Sequence, residues 1–230
     1  YNERSTFKKK MLDAQQKFEN TKDPKYKNQI ASLHNKQMAL KIALNSAYGA
    51  VGNQYFRFYD IRIAEAVTYG GQLSIRWIEK ALNQYFNDIL KTENEDYVIA
   101  SDTDSVYITF EKLIEKLNPP DPVKFLDTIC TEKIEPFIDG KYAELAEYVN
   151  AYEQKMVMAR EVIADKGIWT AKKRYILNVH NSEGVQYAEP KLKMMGIEAV
   201  KSSTPQVCRD KIRDALKLIM VGDEKELNDF

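Results

Sequence analysis

The sequence is poor in the residues that build several common kinds of functional site. Only two cysteines, Cys130 and Cys208, occur among 230 residues, which predicts two reduced thiols rather than a disulfide framework. The two histidines, His34 and His180, lie far apart in the chain and have no cysteine neighbours at zinc spacing, so a structural zinc site is not expected. Disulfide-rich scaffolds and zinc modules are therefore disfavoured.

Long apolar runs, targeting signals and net charge are lacking as well. No run approaches the roughly 18 apolar residues of a membrane span, no signal peptide is visible, and no membrane partner is expected. The 34 basic and 34 acidic residues cancel, which argues against a histone-like protein. The chain begins with Tyr1 rather than Met, which predicts a processed product or an excised fragment.

Glycine-rich phosphate loops are also absent, while the charge is unevenly distributed. Neither G-x-x-x-x-G-K-[ST] nor G-x-G-x-x-G occurs, which disfavours the P-loop and dinucleotide-binding classes. Residues 1–48 contain ten Lys or Arg and four Asp or Glu, a net charge of +6, so the remainder carries −6. A basic segment joined to an acidic body suggests a polyanion bound by one element, although a solvated helical face gives the same composition.

The order of predicted elements is helices, a strand pair, helices, strands and a helix, which indicates an α+β fold. A helix over 4–18 and a second one, capped by Asp23 with Pro24 at its first position and ended by Gly49 and Gly52, predict an antiparallel αα-hairpin. A long helix is expected over about 60–91. Its predicted core stripe is Ile78, Leu82, Tyr85 and Ile89.

The second half of the chain mixes helices and strands. Two strands, 97–100 and 106–110, precede a largely helical segment over 123–155 that Pro136 and Gly140 interrupt. Residues 155–196 predict several strands with turns at "DKG" and "NSEG". A last helix has Thr204 as its cap, Pro205 at its first position and Gly222 at its end. Its predicted core stripe is Cys208, Ile212, Ala215 and Ile219.

Asp102 and Asp104 lie between the two predicted strands of "YVIASDTDSVYITF". Residues two apart in extended backbone point to the same face, and two close carboxylates repel unless a cation binds between them. Mg²⁺ prefers few carboxylates, several waters and phosphate oxygens, and two such ions about 4 Å apart can clamp the oxygens of a phosphoryl transfer. The alternative is a pair of turn aspartates that bond to their own backbone. The motif alone leaves both interpretations open.

A second candidate site lies at the base of the helical hairpin. Arg4 and Lys8 share one helix face, as do Lys41, Asn45 and Tyr48. At 1.5 Å per residue both sets lie roughly 25–30 Å from the hairpin turn, so antiparallel pairing brings them to similar heights. A forked guanidinium and two ammonium groups would suit a triphosphate. The alternative is a set of solvated lysines, with Asn45 packed as an ordinary helix residue.

Three motifs resemble those of family B DNA polymerases and occur in the family's order. "KIALNSAYGAVGN" is similar to the fingers motif Lys-x-x-x-Asn-Ser-x-Tyr-Gly, "SDTDS" to the Asp-Thr-Asp-Ser hairpin, and "TAKKRY" to the Lys-Lys-Arg-Tyr primer–template motif. The stretches "YNERSTFKKKML", "YGGQ", "YAEPKLKMMG" and "KSSTP" resemble the replicative polymerases of T4-like phages. The resemblance extends over essentially the whole chain.

The resemblance implies an architecture, a cofactor and residue roles. Residues 1–52 would be helical-hairpin fingers, 53–196 the larger part of an antiparallel-sheet palm with packed helices, and 197–230 the start of a helical thumb. Asp102 would be a metal ligand for one of two Mg²⁺ ions, Asp104 a second acid beside it, and Glu161 a further acidic residue near the site. The residues implied to bind the incoming dNTP are Arg4, Lys8, Lys41, Asn45 and Tyr48. Those implied to hold primer–template DNA are Lys172, Lys173, Arg174 and Tyr175.

Two departures from the family pattern stand out. The family usually has Tyr-Gly before Asp-Thr-Asp, where this chain has Ala100 and Ser101; the hairpin is expected to survive because Ser101 is small. The family's other metal aspartate belongs to an Asp-x-x-Ser-Leu-Tyr-Pro motif upstream of the fingers, which this sequence lacks, as it lacks an exonuclease domain and most of a thumb. The chain is therefore expected to be a partial polymerase, inactive in isolation.

The favoured function is DNA-templated addition of a dNTP to a primer 3′-hydroxyl in viral DNA replication. The resemblance implies the cytoplasm of an infected host cell as the location, and a sliding clamp as a partner through C-terminal parts that the chain lacks. A non-catalytic nucleic-acid-binding module is the alternative, because one metal aspartate is missing. A two-metal nuclease would share the carboxylate pair but would have no use for a triphosphate clamp.

Overall fold

A computed structural model describes residues 1–222 and 224–230 and divides them into two compact units. One unit contains residues 1–15 and 23–160, and the other contains residues 16–22 and 161–230. Helices together with two antiparallel sheets confirm the α+β class. The division into fingers, palm and thumb stays a prediction, and Asp223, within the range predicted as thumb, lies outside the described residues. No helix in the described ranges is both long and apolar enough to cross a membrane.

The chain opens with the predicted pair of helices. These are α1 (Asn2–Thr21) and α2 (Lys25–Val51). The N-cap position of α2 is Pro24 rather than the predicted Asp23, although the Asp23 carboxylate still accepts the backbone N–H of Lys25 at 3.0 Å. The ammonium group of Lys36 lies 5.6 Å from the centroid of the Phe7 ring, a cation–π contact between the two helices.

The predicted end of the second helix was only partly correct. Helix α2 continues through Gly49 and has Gly52 as its C-cap. A glycine inside a helix costs only about 1 kcal/mol relative to alanine, so a single one does not end a helix.

The long helix α3 (Ile61–Leu90) matches its predicted bounds. The Asp60 carboxylate caps it by accepting the N–H of Arg62 at 3.0 Å. Its buried residues follow one i, i+4 row. They are Ser74, Ile78, Leu82 and Phe86. The predicted stripe was therefore right for Ile78 and Leu82 and wrong for Ile89, whose side chain is 47% exposed.

The rest of the first unit packs a small hairpin and several helices against α3. The elements are β1 (Val98–Asp102), β2 (Ser105–Ile108), α4 (Glu111–Leu117), α5 (Pro122–Ile129) and α6 (Glu135–Tyr148). The core of this unit consists of Ile78, Leu82, Phe86, Tyr97, Val98, Ile134, Ile138, Tyr142 and Leu145. Burial raises the pKa of the Cys130 thiol in this region to about 11, so that thiol stays protonated at neutral pH.

The helical segment after the hairpin is broken at a different place from the one predicted. Pro136 and Gly140 both lie inside α6, and a π-helical turn over 130–134 separates that helix from α5. Pro136 falls in the first turn of α6, where its missing N–H costs little. The short helix α4 was not predicted.

The second unit is built on a three-stranded antiparallel sheet. Its elements are β3 (Val162–Ala171), β4 (Arg174–Ser182), β5 (Val185–Met195), α7 (Gln206–Val221) and α8 (Glu224–Asp229), and the strand order is β3-β4-β5. The turn predicted at "NSEG" is confirmed. The one predicted at "DKG" is wrong, because those residues lie inside β3, where the register with β4 shifts between Ala164 and Lys166.

Helix α7 covers the buried face of this sheet. Ile212, Leu216 and Met220 of α7 pack with buried side chains of β4 and of the segment after β5. Cys208 and Ile219, predicted as core, are exposed. The N-cap position is Pro205 rather than Thr204, and Gly222 ends the helix as predicted, with its N–H donating to the carbonyl oxygen of Leu218 at 2.7 Å. Both cysteines are free thiols, as predicted.

Candidate active site

The Asp-Thr-Asp-Ser stretch forms the tip of the β1–β2 hairpin. Asp102, the last residue of β1, pairs with Ser105, so Thr103 and Asp104 make a two-residue turn. The backbone N–H of Asp104 donates to the carbonyl oxygen of Asp102 at 2.6 Å, and the Ser105 hydroxyl donates to the same oxygen at 3.1 Å. Asp102 is half-buried and Asp104 is exposed. Ser101 pairs within the hairpin, which confirms that the hairpin tolerates serine there.

Thr103 is a residue of this tip that the sequence analysis did not single out. Its φ is +54°, in the left-handed region, where a β-branched residue is held at a cost of about 1–2 kcal/mol. Its hydroxyl donates to a carboxylate oxygen of Asp102 at 3.0 Å. The predicted strands, 97–100 and 106–110, left five residues between them, so the two-residue turn and the positive φ that it requires became evident only from the strand pairing.

Side chains from distant parts of the sequence contact the strands of this hairpin. The Asn83 side-chain oxygen on α3 accepts the backbone N–H groups of Tyr97 and Val98, both at 2.9 Å, and so fixes the start of β1. Tyr142 on α6 is buried, and its phenol pKa is raised by that burial and further by the Asp104 carboxylate. No local pattern in the sequence indicates either residue, because both act across the fold.

The donor set at the tip suits a hard divalent cation. Carboxylate oxygens are the ligands that Mg²⁺ prefers, and the tip supplies two acidic side chains. Across the described residues, no group of three or more His, Cys, Asp or Glu side chains could hold a metal ion. Glu161 belongs to the second unit, where its exposed carboxylate lies 3.6 Å from the Lys193 ammonium nitrogen. Its metal role stays a prediction.

The five residues predicted to bind a nucleotide lie on α1 and α2 of the first unit. Lys41 and Asn45 are exposed, while Arg4 and Lys8 are half-buried. The Nε atom of Arg4 is buried and has no hydrogen-bond partner among the described residues. An unsatisfied buried donor costs about 1–3 kcal/mol. The convergence of these side chains on one ligand stays a prediction.

Tyr48, the fifth of these residues, is tied to the next helix. Its hydroxyl lies 3.1 Å from the Thr68 hydroxyl on α3. Thr68 already donates to the carbonyl oxygen of Ala64 at 3.0 Å, so the Tyr48 hydroxyl is the donor in the first bond. The ring itself is 48% exposed and can therefore contact a ligand.

The Lys-Lys-Arg-Tyr stretch forms the turn between β3 and β4. Ala171 pairs with Arg174, which leaves Lys172 and Lys173 as an exposed two-residue turn. Arg174 is half-buried, and its guanidinium lies 2.8 Å from the Glu198 carboxylate. Tyr175 is only 5% exposed. The two lysines therefore present the accessible charge of this stretch.

Comparison with known proteins identifies the family to which the chain belongs. The family model of DNA polymerase family B matches residues 3–117, which include α1, α2, α3 and the Asp102–Asp104 hairpin. The chain belongs to DNA polymerase family B.

The chain is similar to DNA-directed DNA polymerases of two phages. It is 43% identical to that of Escherichia phage RB69 over 202 residues, which cover 82% of this chain and 22% of the phage protein. It is 41% identical to that of Enterobacteria phage T4 over 208 residues, which cover 84% of this chain and 23% of that protein. A DNA polymerase beta of African swine fever virus is 29% identical over 188 residues, 76% of this chain and 14% of the viral protein. The chain thus spans less than a quarter of each relative.

Proposed function

We propose that this chain is part of a longer enzyme, the parent polymerase, that replicates viral DNA in an infected host cell. The observation that carries the proposal is the family match over 3–117, which includes the tight hairpin with Asp102 and Asp104. In the reaction a primer 3′-hydroxyl attacks the α-phosphate of a dNTP. A phosphodiester bond forms as the hydroxyl loses its proton to solvent, the bond between the α- and β-phosphates breaks, and pyrophosphate leaves.

The same proposal assigns domains to the chain. Residues 1–52 are the fingers, 53–196 the larger part of the palm, and 197–230 the start of the thumb. The contact between α1 and α2 supports the assignment of the fingers. The two antiparallel sheets, one before α4–α6 in the sequence and one after them, support the assignment of the palm. The sliding clamp belongs to the proposal as a partner of the parent polymerase.

Asp102 and Asp104 would hold Mg²⁺. When bound, the metal would activate the attacking hydroxyl and neutralise the charge of the phosphates. The protein contributes a fixed carboxylate geometry, because the Thr103 hydroxyl bonds to Asp102 and the Asp102 carbonyl oxygen is held by Asp104 and Ser105.

Arg4, Lys8, Lys41 and Asn45 would bind the triphosphate of the dNTP. A guanidinium offers forked donors and each ammonium group a compact charge, which suits a polyanion. The exposure of Lys41 and Asn45 supports this role because it leaves both side chains accessible to a ligand. Tyr48 would pack against the nascent base pair, its hydroxyl anchored by Thr68.

Lys172 and Lys173 would contact the DNA backbone of the primer–template from the β3–β4 turn, with Arg174 and Tyr175 beside them. Such contacts position the duplex and carry no sequence information. Template pairing therefore selects the nucleotide, and the protein recognises shape and charge.

The decisive experiment replaces the hairpin carboxylates in the parent polymerase. Asp102→Ala and Asp104→Ala should each abolish most primer extension, because the metal ligands are lost, while primer–template affinity stays close to that of the unchanged enzyme. Single-turnover extension and DNA binding by fluorescence anisotropy measure the two quantities. The matched control is Asp139→Ala, an exposed aspartate on α6. Normal extension by either hairpin variant would refute the proposal.

A non-catalytic nucleic-acid-binding module is the second candidate function. It is favoured by the finding that the described residues contain no group of three acidic, His or Cys side chains fit for a metal. Primer extension by the parent polymerase distinguishes the two, because only an enzyme extends the primer; we expect little or no extension by this 230-residue chain alone. A nuclease would degrade the primer without binding dNTP, so dNTP affinity separates that class.

A further inference from the structure

Gly196 lies directly beside the basic turn of the second unit. It follows Met195, the last residue of β5, and Met195 pairs with Tyr175 at the start of β4. The turn residues Lys172 and Lys173 immediately precede β4. The C-terminal end of β5 therefore lies next to the turn that precedes β4.

The approach between Gly196 and the turn is too close for any side chain. A Cβ atom added to Gly196 would lie 2.3 Å from the carbonyl oxygen of Lys173 and 3.3 Å from its carbonyl carbon. It would also lie 3.1 Å from the Cγ atom of Arg174. A separation of 2.3 Å between carbon and oxygen is far inside their van der Waals contact, so the backbone of the turn would have to move.

The obstructed atom belongs to the residue that shapes the turn. Lys173 has a φ of +62°, a conformation that few side-chain-bearing residues adopt without support. Moving its carbonyl group changes the direction of the peptide plane between Lys173 and Arg174. This rotation changes the direction of the Cα–Cβ bond of Lys173, and the ammonium group of its side chain is displaced.

We propose that Gly196 is a positioning residue for primer–template binding: its missing side chain lets the Lys172–Lys173 turn close against β5 and present its two ammonium groups together. This inference rests on the proposed function, in which Lys173 contacts the DNA. Phosphate contacts depend on where a cation sits along the regularly spaced backbone of the duplex, so a displaced turn loses affinity without losing charge.

A matched glycine separates this role from a simple need for backbone freedom. Gly196 has a φ of +66° and Gly184, in the β4–β5 turn, has a φ of +86°, so alanine is conformationally disfavoured at both. A Cβ atom on Gly184 would meet nothing within 4 Å. Gly184→Ala therefore destabilises the chain only through its disfavoured φ, whereas Gly196→Ala adds a steric clash to the same disfavoured φ.

The experiment measures primer–template affinity of the parent polymerase at several salt concentrations, together with the KM for dNTP. Gly196→Ala should weaken DNA binding by about three- to tenfold and lower the slope of log affinity against log salt by about 1, as expected for one lost phosphate contact. The KM for dNTP should stay unchanged, and Gly184→Ala should leave both DNA quantities unchanged. Asparagine tolerates a positive φ better than alanine but, like alanine, adds a Cβ atom, so Gly196→Asn should behave like Gly196→Ala.

Lys173→Ala distinguishes failure of this inference from failure of the proposed function. If Lys173→Ala leaves DNA affinity intact, the DNA-binding role of the turn is wrong. If Lys173→Ala weakens binding and both Gly196 variants do not, the positioning role is wrong. In a Lys173→Ala background, Gly196→Ala should add little, because both changes remove the same contact. Additive losses, or Gly196 variants that fail to fold, would also overturn the inference.

Discussion

Thr103 shows how one residue can serve two purposes at the hairpin tip. Its positive φ of +54° lets the chain reverse in two residues, and its hydroxyl donates to the Asp102 carboxylate at 3.0 Å. The first property brings the two aspartates to the tip, and the second restricts the rotation of Asp102. A threonine held in a disfavoured conformation is explained by the bond that its hydroxyl makes.

The matched variants Thr103→Val and Thr103→Ser separate these two properties. Thr103→Val keeps the branched shape and removes the bond, so we expect primer extension by the parent polymerase to slow by about tenfold, since a hydrogen bond to a charged group contributes about 1.5–3 kcal/mol. Thr103→Ser keeps the hydroxyl and should retain most of the rate. Single-turnover kinetics with saturating dNTP measure the effect, and equal rates for both variants would contradict it.

At the scale of elements, α3 is the helix that organises the first unit. Its buried row contacts the β1–β2 hairpin and α6, and its Asn83 side chain holds the first residues leading into β1. The same helix carries Thr68, the partner of Tyr48. Residues of the proposed metal site and of the proposed nucleotide site are thus connected to a single helix.

Helix α3 offers a direct test of which face is buried. Leu82 is fully buried and Ile89 is 47% exposed, although periodicity placed both in one stripe. Leu82→Ala should lower the free energy of unfolding of the first unit by about 3 kcal/mol, because it leaves a cavity. Ile89→Ala should lower it by less than about 1 kcal/mol.

Urea titration of the 230-residue chain measures both values. In a Trp169→Phe background, the fluorescence of Trp77 on α3 reports the first unit alone, since the sequence contains only two tryptophans. Equal destabilisation by the two alanine variants would mean that α3 turns a different face to the core.

At the scale of the whole molecule, apolar side chains are exposed along one part of the first unit. They lie on α2, on the segment after it and on the first half of α3. The most exposed are Tyr55, Phe58, Ile42, Val67, Tyr69 and Ile63. Ile63 and Val67 share one helix face and line a shallow groove with Asp60, Arg62 and Ala66. Exposed apolar side chains that line a groove promote association.

We therefore expect the isolated chain to bind a hydrophobic dye and to self-associate at micromolar concentrations. The paired change Ile63→Glu and Val67→Glu should reduce both effects by placing charge in the groove. Val207→Glu is the control, because Val207 is 76% exposed on α7 and belongs to the second unit. Dye fluorescence and analytical ultracentrifugation measure the outcome, and a monomeric chain without dye binding would contradict the expectation.

The sequence by itself determined the features that depend on local bonding. The bounds of α3, the turn at "NSEG" and the end of α7 at Gly222 were all predicted, because each rests on hydrogen bonds and torsions within a few residues. The ordered motifs also predicted the family, since they record residue types that one kind of site requires.

Only the tertiary structure decided which residues are buried and which turns form. Ile89 and Cys208 fit a helical period, yet both are exposed, because burial depends on where neighbouring elements end. The strand β3 continues through "DKG" because pairing with β4 offsets the weak local preference for a turn. The contact of Gly196 with Lys173 joins residues 23 positions apart, and no local pattern encodes such a contact.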